Sequence, residues 1–392
     1  MKIAYFNYLY DMEESSVGAA VHVRELGKGL QALGHDVSIH YMNRFTSVAS
    51  SVQSPIRGYL KRKLWRYLNQ VNALVSNAGY FRREWKILSQ EKPDVILQRY
   101  NFLNVSLVLA ARMKKIPLLL EVNAPMAYEN KKFSDHAVRL PFFPEYLEKV
   151  NLQLADKVYV VSSELKNYYA KRGIAPEKIH VVPNGADEKR FRPDVDTRGI
   201  LERYSLNNKI VIGFIGSFHY WHGVDNLLKF IKAILSQYNH VCFLLVGTGP
   251  LKEDLEKALA AEQKDGKVIL PGYIPHEAIP AYLAVMDIVL APYPRLDFFY
   301  YSPLKIFEYM AAGKTVIASR VGQIAEIIRE NHDGMLVEPD DFDDMLEKSM
   351  KLIRENALRV QMGKNARHTI EQKYTWTRTA ETISHLLHEV VK

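Results

Sequence analysis

The 392-residue chain alternates short apolar runs with amphipathic stretches almost from end to end. In the first half the runs are KIAYFNY (2–8), DVSIHYM (36–42), DVILQRY (94–100), PLLLEVN (117–123), KVYVVS (157–162) and KIHVVPN (178–184). Most are continuously hydrophobic, as strands are when helices cover both faces of their sheet. Between them lie stretches of helical period, such as AAVHVRELGKGLQALG (19–34). A second series follows: KIVIGFIGS (209–217), HVCFLLVGTG (240–249), KVILPGY (267–273), DIVLAPYP (287–294), TVIAS (315–319) and GMLVEP (334–339). The tail from Phe342 to Lys392 reads as helical. The pattern predicts two doubly wound α/β domains with parallel sheets, joined by the polar, aperiodic segment 186–208. In such sheets ligands bind beyond the carboxyl ends of the strands, near helix N-termini. Residues just after strands are therefore the candidates for chemistry.

Composition narrows the class. With 48% hydrophobic and 24% charged residues the chain is neither disordered nor fibrous. No apolar run approaches the roughly 18 residues of a membrane-spanning helix. The start, MKIAYFNYLY, reads as a buried first strand and not as a signal peptide, so the expected compartment is the cytoplasm. The single cysteine, Cys242, excludes a disulfide framework and a cysteine zinc site. The net charge of +8 is unevenly spread. Residues 55–92 carry nine basic side chains against Glu84 and Glu91, interleaved with Trp65, Trp85, Phe81 and several tyrosines and leucines. One reading is a face for an anionic membrane surface, peripheral on the inner leaflet. The other is an amphipathic helix packed on its own domain. No nucleic-acid motif accompanies the charge, so nucleic acid is not an expected partner.

Five places could carry chemistry. In DFFYYSPLKIFEYMAAGK (297–314), Ser302 suits an N-cap, Pro303 the first helical position and Gly313 the stop. The helix start offers free N–H groups to a phosphate. Lys305 sits in its first turn, and Glu308 lies on the same face, where a carboxylate can accept from two sugar hydroxyls. Together they fit a nucleoside diphosphate, although a capped surface helix with a Lys–Glu pair accounts for the same spacing. The second place is the exit of the first strand, where Gly18 opens a helix carrying His22. The third, GSFHYWHG (216–223), offers Gly216, Ser217, His219 and His222. The fourth, VGTGPL (246–251), offers Gly247. The fifth is LLLEVNAP (118–125), an apolar strand closed by Glu121 and Asn123. No metal-binding motif, GxSxG or P-loop is present.

Taken in order, these segments resemble the retaining glycosyltransferases of family 4. The resemblance runs from Gly18 and HVREL (22–26) through LGHDVSI (33–39), VVPNGAD (181–187), VGTGPL, GYIP (272–275) and SPLKIFEYMAAGK (302–314) to EIIRENHDGMLVEP (326–339) and YTWTRTAETI (374–383). It implies the GT-B architecture, two doubly wound Rossmann-like domains facing a central cleft. Residues 1–190 would form the acceptor side and 209–373 the donor side, with a helix over 374–392 crossing back onto the first domain. It implies transfer of a sugar from a nucleoside-diphosphate sugar with retention, without metal, to a glycan or lipid-linked acceptor in polysaccharide, glycolipid or glycoconjugate synthesis. Glu308 matches the second glutamate of the family's E-x7-E motif, which holds the donor ribose. The implied donor set is Gly18, Gly216, Ser217, His222, Gly247, Tyr273, Ile274, Tyr300, Ser302, Pro303, Leu304, Lys305 and Glu308, with Asn123 and His22 facing the reacting sugar as catalytic candidates. Four positions depart from the family pattern. Tyr300 stands at the first glutamate, Ser217 and His222 stand at the usual arginine–lysine pair, and Asn123 stands at the usual histidine. Two other readings share the architecture: an epimerase using Glu121, His22 and His222, and a non-catalytic protein that binds a nucleotide sugar.

Overall fold

The computed structural model describes residues 1–10, 18–43, 59–133 and 142–392; side chains 9–10, 43, 59–74, 133 and 225 are outside the description. Residues 55–58 and the side chains of Lys61, Arg62, Lys63, Trp65 and Arg66 therefore lie outside the described residues. The chain divides into two compact units, one of Met1–Pro183 with Thr379–Lys392 and one of Asn184–Arg378.

The first unit contains β1 (Lys2–Tyr10), α1 (Gly18–Ala32), β2 (Asp36–Asn43), α2 (Tyr59–Glu91), β3 (Val95–Arg99) and α3 (Ser106–Lys114). It continues with β4 (Leu118–Val122), α4 (Met126–Phe133), α5 (Phe142–Leu154), β5 (Lys157–Val160), α6 (Ser163–Ala170) and β6 (Ile179–Val181). The six strands form one sheet in the order β2-β1-β3-β4-β5-β6, every neighbour parallel. The order reverses between β1 and β3, so the carboxyl ends of those strands border a crevice. β4 is buried at all five positions, Glu121 included. Such burial explains why the strand reads as an unbroken apolar run apart from that one residue.

The second unit runs through α7 (Arg198–Arg203), β7 (Ile210–Ile215), α8 (Val224–Leu235), β8 (Val241–Val246), α9 (Lys252–Ala258), α10 (Ala260–Lys264) and β9 (Val268–Gly272). It ends with α11 (Ile279–Ala284), β10 (Ile288–Ala291), α12 (Leu304–Ala311), β11 (Thr315–Ser319), α13 (Ile324–Ile327), β12 (Met335–Val337), α14 (Phe342–Arg354) and α15 (Asn356–Lys373). Its parallel sheet has the order β12-β11-β10-β7-β8-β9, which places the switch point between β7 and β10. Alternate strand residues feed different cores. Val211, Leu244, Val289 and Val316 join one cluster, while Ile212, Phe243, Ile288 and Ile317 join the other. Both faces are thus covered, at the period of two that a strand dictates.

One expectation needs correction. Segment 186–208 is not a free linker: Ala186, Phe191 and Leu206 are buried in the core of the second unit. Arg367 also donates to the Phe191 carbonyl at 2.9 Å. The polar look of the segment reflects its exposed side, while three spaced apolar residues anchor it. The helix α16 (Trp376–Val391) straddles the division, and from Thr379 onward it belongs to the first unit. There Ala380, Ile383, Leu386 and Leu387 share a core with Ile3, Val23, Leu26, Leu30 and Leu97.

The basic helix α2 is partly accounted for by self-packing. Trp85 stacks on Phe81 with ring centroids 5.6 Å apart, and the Lys114 ammonium lies 3.9 Å over its ring. Arg83 donates to the Met42 carbonyl at 2.7 Å. Arg82, Arg83, Lys86 and Lys92 keep exposed side chains. Among the described residues no helix is long and apolar enough to cross a membrane.

Candidate functional site

In the second unit the switch point is built from backbone. Gly216 follows β7 with φ 152°, and Gly247 follows β8 with φ 145°. A Cβ on Gly247 would stand 1.9 Å from the Gly216 carbonyl oxygen. The two loops can approach this closely only because Gly247 has no side chain. Ser217 and His222 lie on the first loop. His222 Nδ1 is 2.7 Å from the Ser217 carbonyl. A carbonyl only accepts, so Nδ1 carries the proton and Nε2 is left as the acceptor. Burial, with help from the nearby Lys305 charge, lowers the His222 pKa to about 3, against the hydrogen bond to Ser217. The ring is therefore neutral and cannot supply the cation lost at this position.

Lys305 supplies one. It sits in the first turn of α12, with Nζ 4.4 Å from the Phe214 ring centroid and 5.6 Å from that of Tyr293. A Cβ built on Gly216 would come within 2.5 Å of that nitrogen. Nζ is buried and donates to nothing among the described residues. Burial lowers its pKa to about 7, with the Glu308 charge pulling the other way. An orphaned buried ammonium is costly unless something anionic completes it. The aromatic faces offset only part of that cost. Among the described residues no cluster of three or more His, Cys, Asp or Glu is placed to hold a metal ion.

One turn on, Glu308 Oε1 lies 2.7 Å from His276 Nε2, and both side chains are largely buried. His276 follows the exposed Tyr273 and the half-buried Ile274 in the loop after β9. The fold thus brings the GYIP loop to the Glu308 side of α12. His276 was not singled out in the sequence, where nothing but its place directly after GYIP marks it.

Ser302 is not the cap of α12. The N-cap is Pro303, with no side-chain hydrogen bond, and Leu304 is the first helical residue. Ser302 is spent on the segment that begins the second unit. Its Oγ accepts from the Asn184 backbone at 3.2 Å, and its carbonyl accepts from Asn184 Nδ2 at 2.7 Å. The Tyr309 hydroxyl meets the Ile215 backbone, accepting from its N–H at 2.7 Å, which pins α12 to the end of β7. Tyr300 is 1% exposed and stacks on Tyr301, ring centroids 4.3 Å apart. Its ring belongs to the aromatic core beneath the site and does not replace a surface carboxylate.

In the first unit, His22 and Asn123 meet on Glu121. Glu121 Oε2 accepts from the Tyr5 hydroxyl at 2.6 Å. Oε1 accepts from Arg99 Nη1 at 2.6 Å and from Asn123 Nδ2, with His22 Nε2 at 3.1 Å. Burial would raise the Glu121 pKa. His22 and Arg99, with the hydrogen bonds from His22 and Tyr5, outweigh it and hold the carboxyl well below the usual range. Burial and this carboxylate push the Tyr5 phenol far up. Beside the cluster is a small hollow lined by Asn7, Tyr8, Arg99, Tyr100, Asn101 and Asn123, at the carboxyl ends of β1, β3 and β4. Gly18 is the first residue of α1, one turn before His22. The sequence pointed to Asn123, His22 and Glu121 separately; Tyr5 and Arg99 it did not mark at all.

The comparisons with known proteins agree with this architecture. Residues 17–190 match Glycosyltransferase Family 4, and residues 209–355 match Glycosyl transferases group 1. An uncharacterized glycosyltransferase of Methanocaldococcus jannaschii is 24% identical over 98% of this chain and 97% of its own. The Escherichia coli UDP-Gal:alpha-D-GlcNAc-diphosphoundecaprenol alpha-1,3-galactosyltransferase is 24% identical over 78% of this chain and 78% of its own. Among solved structures, a glycosyltransferase from Rickettsia africae superposes with TM-score 0.71 at 18% identity, covering 100% of this chain and 98% of that one. Anabaena HepE in complex with UDP gives TM-score 0.70 at 16% identity over 99% and 100% of the two chains. The two parallel sheets and their helices are those of the GT-B fold, and the chain belongs to the group 1, family 4 glycosyltransferases.

Proposed function

We propose that the chain transfers a sugar, with retention of configuration, from a nucleoside-diphosphate sugar bound on the second unit. The observation that carries this reading is the buried, unpartnered Lys305 ammonium beside Gly216 at the switch point. A diphosphate there would complete Lys305 and accept from the N–H groups at Ser217 and the start of α12. Glu308, held by His276, is placed one turn further to accept from ribose hydroxyls. Gly247, Tyr273 and Ile274 border the same place on the nucleoside side. Uridine is the base to test first, because HepE was solved with UDP and with UDP-glucose. Titration calorimetry with UDP, GDP and ADP tests the reading. Glu308→Ala should leave the fold intact and weaken the preferred nucleotide by about tenfold to a hundredfold, the worth of a hydrogen bond to a charged group. Unchanged affinity would remove Glu308 from the site.

In a retaining transfer by this chain, catalysis would rest on positioning and on stabilising the leaving diphosphate. The leaving phosphate itself can take the acceptor's proton, so no strong base is needed. Lys305 and the backbone donors would meet the phosphate charge without a metal. Turnover should then survive EDTA; loss in EDTA with recovery in Mg²⁺ or Mn²⁺ contradicts this arrangement.

The acceptor we propose is a lipid-linked glycan presented at an anionic membrane surface. The E. coli relative acts on a diphosphoundecaprenol substrate by its name, and Arg82, Arg83 and Lys86 extend an exposed basic face along α2. Each such residue contributes roughly 1 kcal/mol near an anionic leaflet, screened by salt. The protein should co-sediment with anionic vesicles at low salt and leave them at high salt. Equal, poor retention by anionic and neutral vesicles makes a soluble acceptor the better answer.

A further inference from the structure

We infer that Glu121 is a positioning residue that fixes the polarity of the hollow in the first unit. It holds the Asn123 amide by its NH2 group, so that the amide oxygen alone faces the hollow and receives a hydroxyl of the substrate. The argument starts from the donors. Tyr5, Arg99 and Asn123 all donate to the two oxygens of Glu121, and Tyr5 and Arg99 contact it at 2.6 Å. A carboxylate receiving an arginine and a phenol is acceptor-only. The amide must therefore turn Nδ2 toward it, whichever way an isolated asparagine would prefer. Asn123 is half-buried and lines the hollow. Among the described residues the one hydrogen bond of the Asn123 side chain is the Nδ2 donation to Glu121, which leaves Oδ1 without a donor there. It is the acceptor that the wall presents.

Arg99 lines the same hollow and gives Nη1 to Glu121. The carboxylate thereby sets a donor and an acceptor side by side, Arg99 and Asn123 Oδ1, from two neighbouring strand ends. A sugar hydroxyl uses both, donating to one and accepting from the other. Asn7, Tyr8 and Asn101 complete a lining of neutral hydrogen-bonding groups. The ligand class is a polyhydroxylated ring. Glu121 itself is fully buried and touches no substrate; it acts through Asn123 and Arg99.

Glu121's part in turnover rests on the transferase reading above, whereas the state of the amide does not. In uniformly ¹⁵N-labelled full-length protein, the Asn123 NH2 pair is assigned by its loss in Asn123→Asp. It should give two well-separated signals that exchange with solvent at least about tenfold more slowly than an exposed asparagine, as a charge-assisted bond requires. Exchange at the free-amide rate overturns the proposal with no substrate present. The kinetic arm uses UDP-glucose, with calorimetric UDP affinity as the control. Asn123→Asp sets two carboxylates in contact and should lower kcat by about tenfold to a hundredfold with UDP affinity unchanged. Glu121→Gln added to it should restore part of the rate, because a single carboxylate then remains, the one introduced at position 123, to receive both the Gln NH2 and the Arg99 guanidinium that shared Oε1 of Glu121. A double variant no better than Asn123→Asp alone overturns the proposal. Wild-type protein that fails to bind UDP at all would instead sink the donor-site reading, leaving the exchange measurement to judge Glu121.

Discussion

Lys305→Met is expected to make the free protein more stable and nearly unable to hold the donor diphosphate. The two effects have one cause. The ammonium is buried without a hydrogen-bond partner, and its pKa falls to about 7 from the ordinary 10.5. The unfolded chain holds that proton more tightly than the folded one. Stability therefore rises with pH from about 7 to about 10.5, and below pH 7 the burial penalty is present in full. Discounted for the partial exposure of the side chain, the methionine variant should gain on the order of 1–3 kcal/mol at neutral pH. It should also lose the rise with pH. Donor binding should weaken by about tenfold to a hundredfold, as for a lost charged hydrogen bond. The same logic fixes how wild-type affinity varies with pH. A bound diphosphate raises the lysine pKa, so binding above pH 7 takes up a proton and weakens as pH rises. Calorimetry in buffers of different ionisation heat reads that proton directly. Proton-independent binding together with a destabilised methionine variant would place the phosphates elsewhere.

Gly247→Ala should be among the most damaging single methyl groups in the second unit. The residue has φ 145°, and its Cβ would lie 1.9 Å from the Gly216 carbonyl oxygen. Backbone cannot yield like a flexible side chain. The cost combines a disfavoured backbone conformation with overpacking, roughly 2–5 kcal/mol in all. Denaturant unfolding should show it as a lower midpoint. Donor affinity should fall with it, because the displaced Gly216 carries the loop beside Lys305. An alanine variant with wild-type midpoint and affinity would mean the two loops are not locked together.

The twelve strands among the described residues were legible because parallel strands covered on both faces tend to be continuously apolar, as VCFLLV is, buried at all six positions. The α12 helix was legible from Gly313 and from its spacing, yet its first turn was misread. Serine is a good cap in general, but Ser302 is committed to Asn184, 118 residues earlier in the chain. No local rule contains that pairing. His276 and Glu308 are likewise 32 residues apart, and Tyr5 reaches Glu121 across 116. Such partners depend on strand order and register, which hydrophobic period does not encode. What sequence did expose was the receiving end of two of these pairs: Glu308 on the face of α12 that carries Lys305, and Glu121 in an otherwise apolar strand. A residue that breaks its local pattern marks the site; its partner has to be found in the fold.

The first unit is assembled from both ends of the chain, and this has a consequence for biosynthesis. Its core takes Ala380, Ile383, Leu386 and Leu387 from α16, while its other segment ends at Pro183. On the ribosome, the second unit emerges whole before that core can close. At about 5–20 residues per second, the first 183 residues wait on the order of ten seconds or more with an apolar face uncovered. The nascent chain is most vulnerable to chaperone capture and proteolysis in that interval. Whichever unit one counts as first in sequence, the second unit is the first able to finish folding.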